Sequence, residues 1–502
     1  MKKIILIAFV LSAHSTFARE FNIIDFGAVP HTVCTSAIQK AVDVCHEAGG
    51  GTVVVPAGIF ITGTIILKSN INLYLEQGAE LRSSTEMADF AAFSGRYGII
   101  FCQDAHNVSI TGEGMIHAMG TQFYETDQNH VYPEFDRQLT RQKEKYMPEG
   151  EFYTDGPLKR KPRPGMTLVF FHCTQVRIKG ITIKDTPVWA VRFGYCEDVV
   201  VEGVSVQNNM MIPNSDGIHC TASRNVRISN CDIRAGDDAI IVTGFAKAEH
   251  TPGFNSAEQD AYTFGNKSIY AENIQVTNCY LQSRSAGIRI GYGQHPIRRC
   301  IFTNIVIAES NRGIGIFAHD SSSIEELIFS DIIIDTRLHN GQWWGNGEPI
   351  HLSAVTRFKG EPAGIIKDIQ FNNITATSEA GILLYTLPEN PMENIRFQNV
   401  QVRIKAGKET MAYGGNFDLR PTALTELQLF EHDIPGLYAQ NVNGLSIRDF
   451  KLTWGENLPA FFTHGISCLQ VKDLYIVDFE GNPNPGSPGS KKLKLEKTTV
   501  RK

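Results

Sequence analysis

Short runs of alternating apolar residues recur along this chain at a nearly fixed interval, and that interval leaves few folds open. The phrase is Asn or Asp, apolar, any residue, apolar. It reads Asp198-Val199-Val200-Val201, Asn225-Val226-Arg227-Ile228, Asn273-Ile274-Gln275-Val276, Asp368-Ile369-Gln370-Phe371 and Asn394-Ile395-Arg396-Phe397, with looser copies between Asn107 and Val471. From Val176 onward the first apolar positions are separated by 23, 27, 48, 53, 42, 26, 50 and 24 residues, which cluster near one period or two. Strict alternation marks each unit as strand rather than helix. A β unit of this size cannot bury its apolar face alone and has to stack on its neighbours. The expected fold is therefore all-β, a single-domain right-handed parallel β-helix over 19–480. This overrules the several domains that 502 residues would otherwise suggest.

An open solenoid must protect its ends. Ser36-Ala37-Ile38-Gln39 has the form of a capping box. Ala37, Ile38, Ala41, Val42 and Cys45 make one apolar helical face before the breaker Gly49-Gly50-Gly51. A short amphipathic helix is expected there, over the first coil. Ahead of it, Met1-Lys2-Lys3, an apolar run from Ile4 to Leu11 and the small residues Thr16 and Ala18, three and one places before a cut after Ala18, predict a signal peptide over 1–18 and an exported protein. No later stretch is long and apolar enough to span a membrane. The period breaks from 118 to 165, where a polar, aromatic insertion is expected to wall a groove. From Gly481 the tail to 502 turns rich in Gly, Pro, Ser and Lys and is expected to be mobile.

A net charge of −6, or about −8 without Lys2 and Lys3, argues against nucleic acid as a partner. The ten cysteines contain no CxxC pair, so no zinc site is expected, and most read as small buried residues of the coils with room for one or two disulfides. No metal and no cofactor is called for.

Against this background three aspartates stand out. Asp216 lies in Asn214-Ser215-Asp216-Gly217, and Asp237 and Asp238 follow 21 and 22 residues later in Gly236-Asp237-Asp238-Ala239. Neighbouring parallel strands lie about 4.8 Å apart, so carboxylates separated by one coil become spatial neighbours. In a regular strand Asp237 and Asp238 would point to opposite faces; Gly236 suggests a bend that lets both reach outward. Glycoside hydrolysis needs one acid to protonate the leaving oxygen and a second carboxylate to activate water or attack the sugar. Crowded carboxylates also raise one another's pKa, which keeps one protonated beside an ionised partner. The spacing alone is compatible with either retention or inversion.

These motifs resemble glycoside hydrolase family 28, the polygalacturonase family of parallel β-helices. The likeness runs from Asp25-Phe26-Gly27-Ala28 and the Gly49–Gly58 segment through Asp185-Thr186-Pro187-Val188-Trp189 and Asn214-Ser215-Asp216-Gly217 to Gly236-Asp237-Asp238. It implies that Asp237 is the general acid, with Asp216 and Asp238 holding and activating water for an inverting displacement. Where the family has Gly-His-Gly this chain has Ser285-Ala286-Gly287, and where the family has Arg-Ile-Lys it has Gly315-Ile316-Phe317. The family's cations at those positions are associated with gripping galacturonate, so an ordinary endo-polygalacturonase is not expected.

Replacement groups are available in the same coils. Asn214, Arg289, Arg312, His319 and His351 follow at coil intervals as candidate substrate-binding residues, since an arginine can clamp a carboxylate bidentately. Trp343 and Trp344, in a glycine-rich loop, offer flat faces for sugars. The leading reading is an exported glycoside hydrolase acting on a pectic or related polysaccharide or oligosaccharide, with the wall loops 118–165 and 335–350 favouring a closed pocket and exo action. Two other readings share the fold: a polysaccharide lyase, and a carbohydrate-binding β-helix without catalysis.

Overall fold

The computed structural model describes residues 19–91, 97–132, 135, 139–143, 146, 151–246 and 269–501. Among these, the chain winds into a right-handed parallel β-helix built on a 20-stranded and a 13-stranded sheet. The residue that opens each repeat phrase has a structural cause. Asp198, Asn225, Asn273, Asp368 and Asn394 all have φ between 54° and 58°, the left-handed region that Asn and Asp tolerate best among residues with a side chain. Their side chains bond from coil to coil, Asn225 Nδ2 donating to Asp198 Oδ1 at 3.0 Å and Asn273 Nδ2 to Asn225 Oδ1 at 3.1 Å.

The apolar positions that follow these turns stack in register. Val176, Val199, Val226, Ile274, Cys300, Leu327, Ile369, Ile395 and Leu445 form one inward ladder. Another carries Phe302, Phe329, Phe371 and Phe397, whose rings lie nearly parallel with centroids 4.9, 5.1 and 5.0 Å apart. That spacing equals the strand separation, so each ring meets the next without leaving register. All ten cysteines are buried and unbridged.

The capping helix runs Thr35–Glu47 and buries Ile38, Ala41, Val42 and Cys45, with Ala37 half-buried beside them. The expected capping box is absent. Cys34 is the N-cap and makes no side-chain cap bond, while Ser36 is exposed inside the first turn. Gln39 turns sideways, its Oε1 accepting from Ile66 N at 2.8 Å and its Nε2 donating to Ile66 O at 3.1 Å. It ties the helix to the strand Ile65–Leu67 because that strand would otherwise leave those groups bare.

The tail also departs from expectation. Beyond Gly481 the chain stays on the stack: Leu493–Glu496 pairs in parallel with Ile466–Leu469, and Val500 bridges Leu474. Its Gly and Pro residues make turns between coils rather than a free end. The leader expected over 1–18 lies outside the described residues. None of the described helices is long and apolar enough to cross a membrane.

Candidate active site

Parallel register carries the three aspartates to one place. Ile218 pairs with Ile240, so Asp216 and Asp238, each two residues ahead, sit on adjacent coils, with Gly217 N donating to Asp238 O at 2.9 Å. Continuing along the same column, Ile240 pairs with Ile288 and Ala286 with Arg312, which gives Asp216, Asp238, Ala286 and Arg312 on four consecutive coils. The bend at Gly236 is required by close approach: a Cβ there would lie 2.3 Å from Ile212 O and 2.6 Å from Ser215 Oγ. Ser215 Oγ accepts from Gly236 N and donates to Ile212 O, which pins the two aspartate motifs together.

Asp216, Asp237 and Asp238 line one cavity of about 180 Å³ together with Asn214, Arg289, Arg312, Trp343 and Trp344. Asn214 donates from its backbone N and its Nδ2 to Asp237 Oδ2, at 3.2 and 3.3 Å. Asp238 accepts from Ala286 N at 2.9 Å and from Arg289 Nε. Burial, with the Asp238 charge alongside, pushes the Asp237 carboxyl up to about 7. Burial and the two other aspartates push Asp216 well above the usual carboxylate range. The cluster therefore holds a proton at neutral pH, which is what an acid catalyst needs, while Asp238 carries the ion pair with Arg289.

The cation side of the cavity rests on two stacked rings. Tyr292 and Phe317 lie 5.9 Å apart at 17°. Arg289 and Arg357 each sit 4.8 Å from the Tyr292 ring, and Arg312 sits 5.0 Å from Phe317. Arg357 also pairs with Asp320 at 3.1 Å. Arg312 is almost wholly buried; its Nε lies 3.5 Å from Glu348 Oε2, and Nε and Nη2 have no hydrogen-bond partner. At Gly315 a Cβ would lie 2.7 Å from the Phe317 ring and 3.2 Å from Arg312 Cδ, so both side chains fold across that glycine.

His319 and His351 do not line the cavity. His319 is held between Pro421 O and Ser353 Oγ at 2.9 and 2.8 Å, and burial pushes its pKa down to about 3. His351 is buried 3.4 Å from Glu348 and edge-on to Phe317. Both lie on coils roofed by the strand Asn416–Asp418 and its neighbours. Asn346 Nδ2 donates to Asn416 O, Gly345 N to Asp418 Oδ2 and Arg420 Nη2 to Trp343 O. Coil spacing placed the two histidines on the correct side of the helix, and it carried no information about this roof.

The insertion meets the tryptophan loop at Asp155. Trp343 Nε1 donates to Asp155 O at 3.1 Å, Asn340 N to Asp155 Oδ2 at 3.0 Å, and Thr154 N to Asn340 Oδ1 at 3.0 Å. Tyr132 N donates to Gln342 Oε1 at 2.6 Å, which brings the Tyr132 ring to the cavity. Sequence reasoning missed Tyr132, Ser285, Tyr292, Phe245 and Arg357 as lining residues and quoted Trp189 only as part of a motif. Tyr292 could have been found, because it stands one residue past the strand position of Gly291 in Ile290-Gly291-Tyr292-Gly293; Arg357 lies beyond its strand and offered no periodic signal.

The model of glycosyl hydrolases family 28 matches residues 45–416. The chain belongs to that family. Among curated relatives, a probable polygalacturonase of Vitis vinifera is 28% identical over 258 residues, covering 47% of each chain. An exopolygalacturonase of Zea mays is 23% identical over 407 residues, covering 78% of this chain and 86% of its own. The matches to the first of these curated plant proteins span about half of their length. In fold, the family 28 exopolygalacturonase of Yersinia enterocolitica superposes with a TM-score of 0.60 at 17% identity, over 93% of this chain and 78% of that one.

Proposed function

We propose that this family 28 glycoside hydrolase releases a single acidic sugar from the end of a pectic chain or oligosaccharide by an inverting displacement. The observation that carries the reading is the cavity itself. Asp216, Asp237 and Asp238 line it together with the guanidiniums of Arg289, Arg312 and Arg357 and the aromatic faces of Trp343 and Trp344, a lining suited to an acidic sugar. Asp237 is the general acid: its raised pKa keeps the proton available, and Asn214 fixes its orientation. Asp238, its charge supported by Arg289, activates the water, and Asp216 on the adjacent coil helps to hold it. The buried guanidinium of Arg312, with donors unmet, and the half-buried Arg357 are placed to receive the carboxylate of a uronate. The loops joined through Asp155 close the cavity around Trp343 and Trp344 and favour attack at a chain end. The leader read in the sequence supports export.

The test is product analysis on oligogalacturonides and related pectic fragments. Released monosaccharide, with the anomer opposite to that of the cleaved bond in the first minutes of an NMR time course, is the expected outcome. Mixed oligomers from the start, an unsaturated product absorbing in the ultraviolet, or a retained anomer would each overturn the corresponding part.

A further inference from the structure

The second sheet carries a groove that the proposed reaction does not use. It lies on the outer face of the 20-stranded sheet, on the strands Met392–Ile404, Val442–Trp454 and Tyr475–Glu480, and encloses about 470 Å³. Register explains the hollow. Arg396, Ser446 and Tyr475 stand in one row across these strands, so the smallest side chain is flanked by two large ones. With strands about 4.8 Å apart, Arg396 and Tyr475 rise roughly 10 Å from each other over a serine floor. Arg448, from the next outward row, lays its guanidinium 4.7 Å from the Tyr475 ring. Arg501, from the last coil, closes the end and is tied to Asp473 at 3.2 Å.

Charge gives the groove a direction. It holds three guanidiniums and one carboxylate in a chain whose net charge is −6. Arg396 and Arg448 are exposed, and neither makes an ion pair with a carboxylate among the described residues. Arg396 is steadied through its Nε, which donates to Asn394 Oδ1 at 3.1 Å, and its outer nitrogens remain for a ligand. Arg448 is steadied by the ring beneath it. Guanidiniums held in this way lose less freedom on binding and match planar carboxylates with paired N–H groups. Their spread over three segments of chain suits a ligand with repeated charges better than one small anion.

We propose that this groove is a second carbohydrate site, which holds an internal stretch of the same acidic polysaccharide whose ends the cavity receives. The assignment rests on the proposed action on acidic pectic chains. Anchoring the polymer here raises the local concentration of chain ends without any new contact at the aspartates. The test uses the full chain carrying D237N, so that the polymer stays intact, in affinity gels containing polygalacturonate or fully methyl-esterified pectin. Retardation by polygalacturonate, weakened by salt and reduced roughly tenfold in affinity by adding R396Q and R448Q, is expected from two exposed charge contacts. With Asp237 restored, the R396Q/R448Q chain should turn over a short oligosaccharide as the wild type does and lose efficiency only on polymer. Unchanged retardation in the double variant, or equal retardation by the esterified polymer, overturns the proposal. Failure of the catalytic reading shows elsewhere, as polygalacturonate binding without release of sugar.

Discussion

Replacing Asp237 by Asn should remove activity and at the same time make the protein more stable, in a way that depends on pH. Burial and the neighbouring Asp238 raise the Asp237 carboxyl from 3.8 to about 7. That is about 3 units, and at ~1.4 kcal/mol per unit the ionised form in the folded state costs ~4 kcal/mol. Because the three carboxyls titrate together, only part of that cost belongs to Asp237 alone, and about 2 kcal/mol is the expected gain. The folded state binds a proton that the unfolded chain has released between about pH 4 and 7, so wild-type stability falls as pH rises through that window. D237N should lack this fall. Its melting temperature should exceed that of the wild type by a few degrees at pH 8 and by little or nothing at pH 4, while substrate binding persists and turnover is lost. In the wild type, kcat should decline as pH rises through about 7. Equal melting shifts at both pH values would refute the crowded, dry cluster, and residual turnover in D237N would refute Asp237 as the acid.

Three further outcomes follow from the same geometry. R312Q leaves the cavity without its least satisfied guanidinium and should lower kcat/KM for uronate-ended substrates by about tenfold to a hundredfold, the range for a charged hydrogen bond; it also strands the buried Glu348 carboxylate, so the melting temperature should fall as well. F371A opens a gap in the ring ladder between Phe329 and Phe397; a loss of about 3–5 kcal/mol should appear as a lower melting temperature with the reaction's pH profile unchanged. D155A removes the carboxylate that accepts from Asn340 N and loosens the insertion against the tryptophan loop, while the bond from Trp343 Nε1 to the backbone of residue 155 remains; a small share of longer products beside the monosaccharide should mark the loosened wall, as measured by chromatography of the early digest.

What could be read from the sequence was whatever register propagates. The left-handed Asn and Asp at each corner, the inward ladders and the meeting of Asp216 with Asp238 all follow from a period near one coil. Arg289 and Arg312 were found because they stand on strands. His319 and His351 stand on or beside strands too, and their coils are correct, yet the roof built from Asn416 to Pro421 covers them. The capping box failed for a similar reason: Gln39 had a better partner, Ile66, on a strand far away in sequence. Contacts between loops, such as Trp343 with Asp155 or Tyr132 with Gln342, have no period to betray them.

The column Asp216, Asp238, Ala286, Arg312 shows how a solenoid can move a charge while keeping its chemistry. Each outward position is one cell of a grid, and a cation lost from one cell can be supplied from the next strand or the next row. Here the strand that carries Gly315 and Phe317 presents Arg312 from its first residue, over the glycine. Arg289 reaches Asp238 from the neighbouring row, beside the fully buried Ala286. A histidine placed at 286 would therefore enter space already filled. Overpacking of that kind costs about 1–3 kcal/mol, and it would press on the ion pair between Arg289 and Asp238. A286H should melt lower than the wild type and lose activity rather than gain it. Pairing it with R289A, which frees the space, should recover much of the melting temperature. If A286H alone is as stable and as active as the wild type, the cavity does not hold Arg289 in the place of the missing side chain, and the cations on this face act independently of one another.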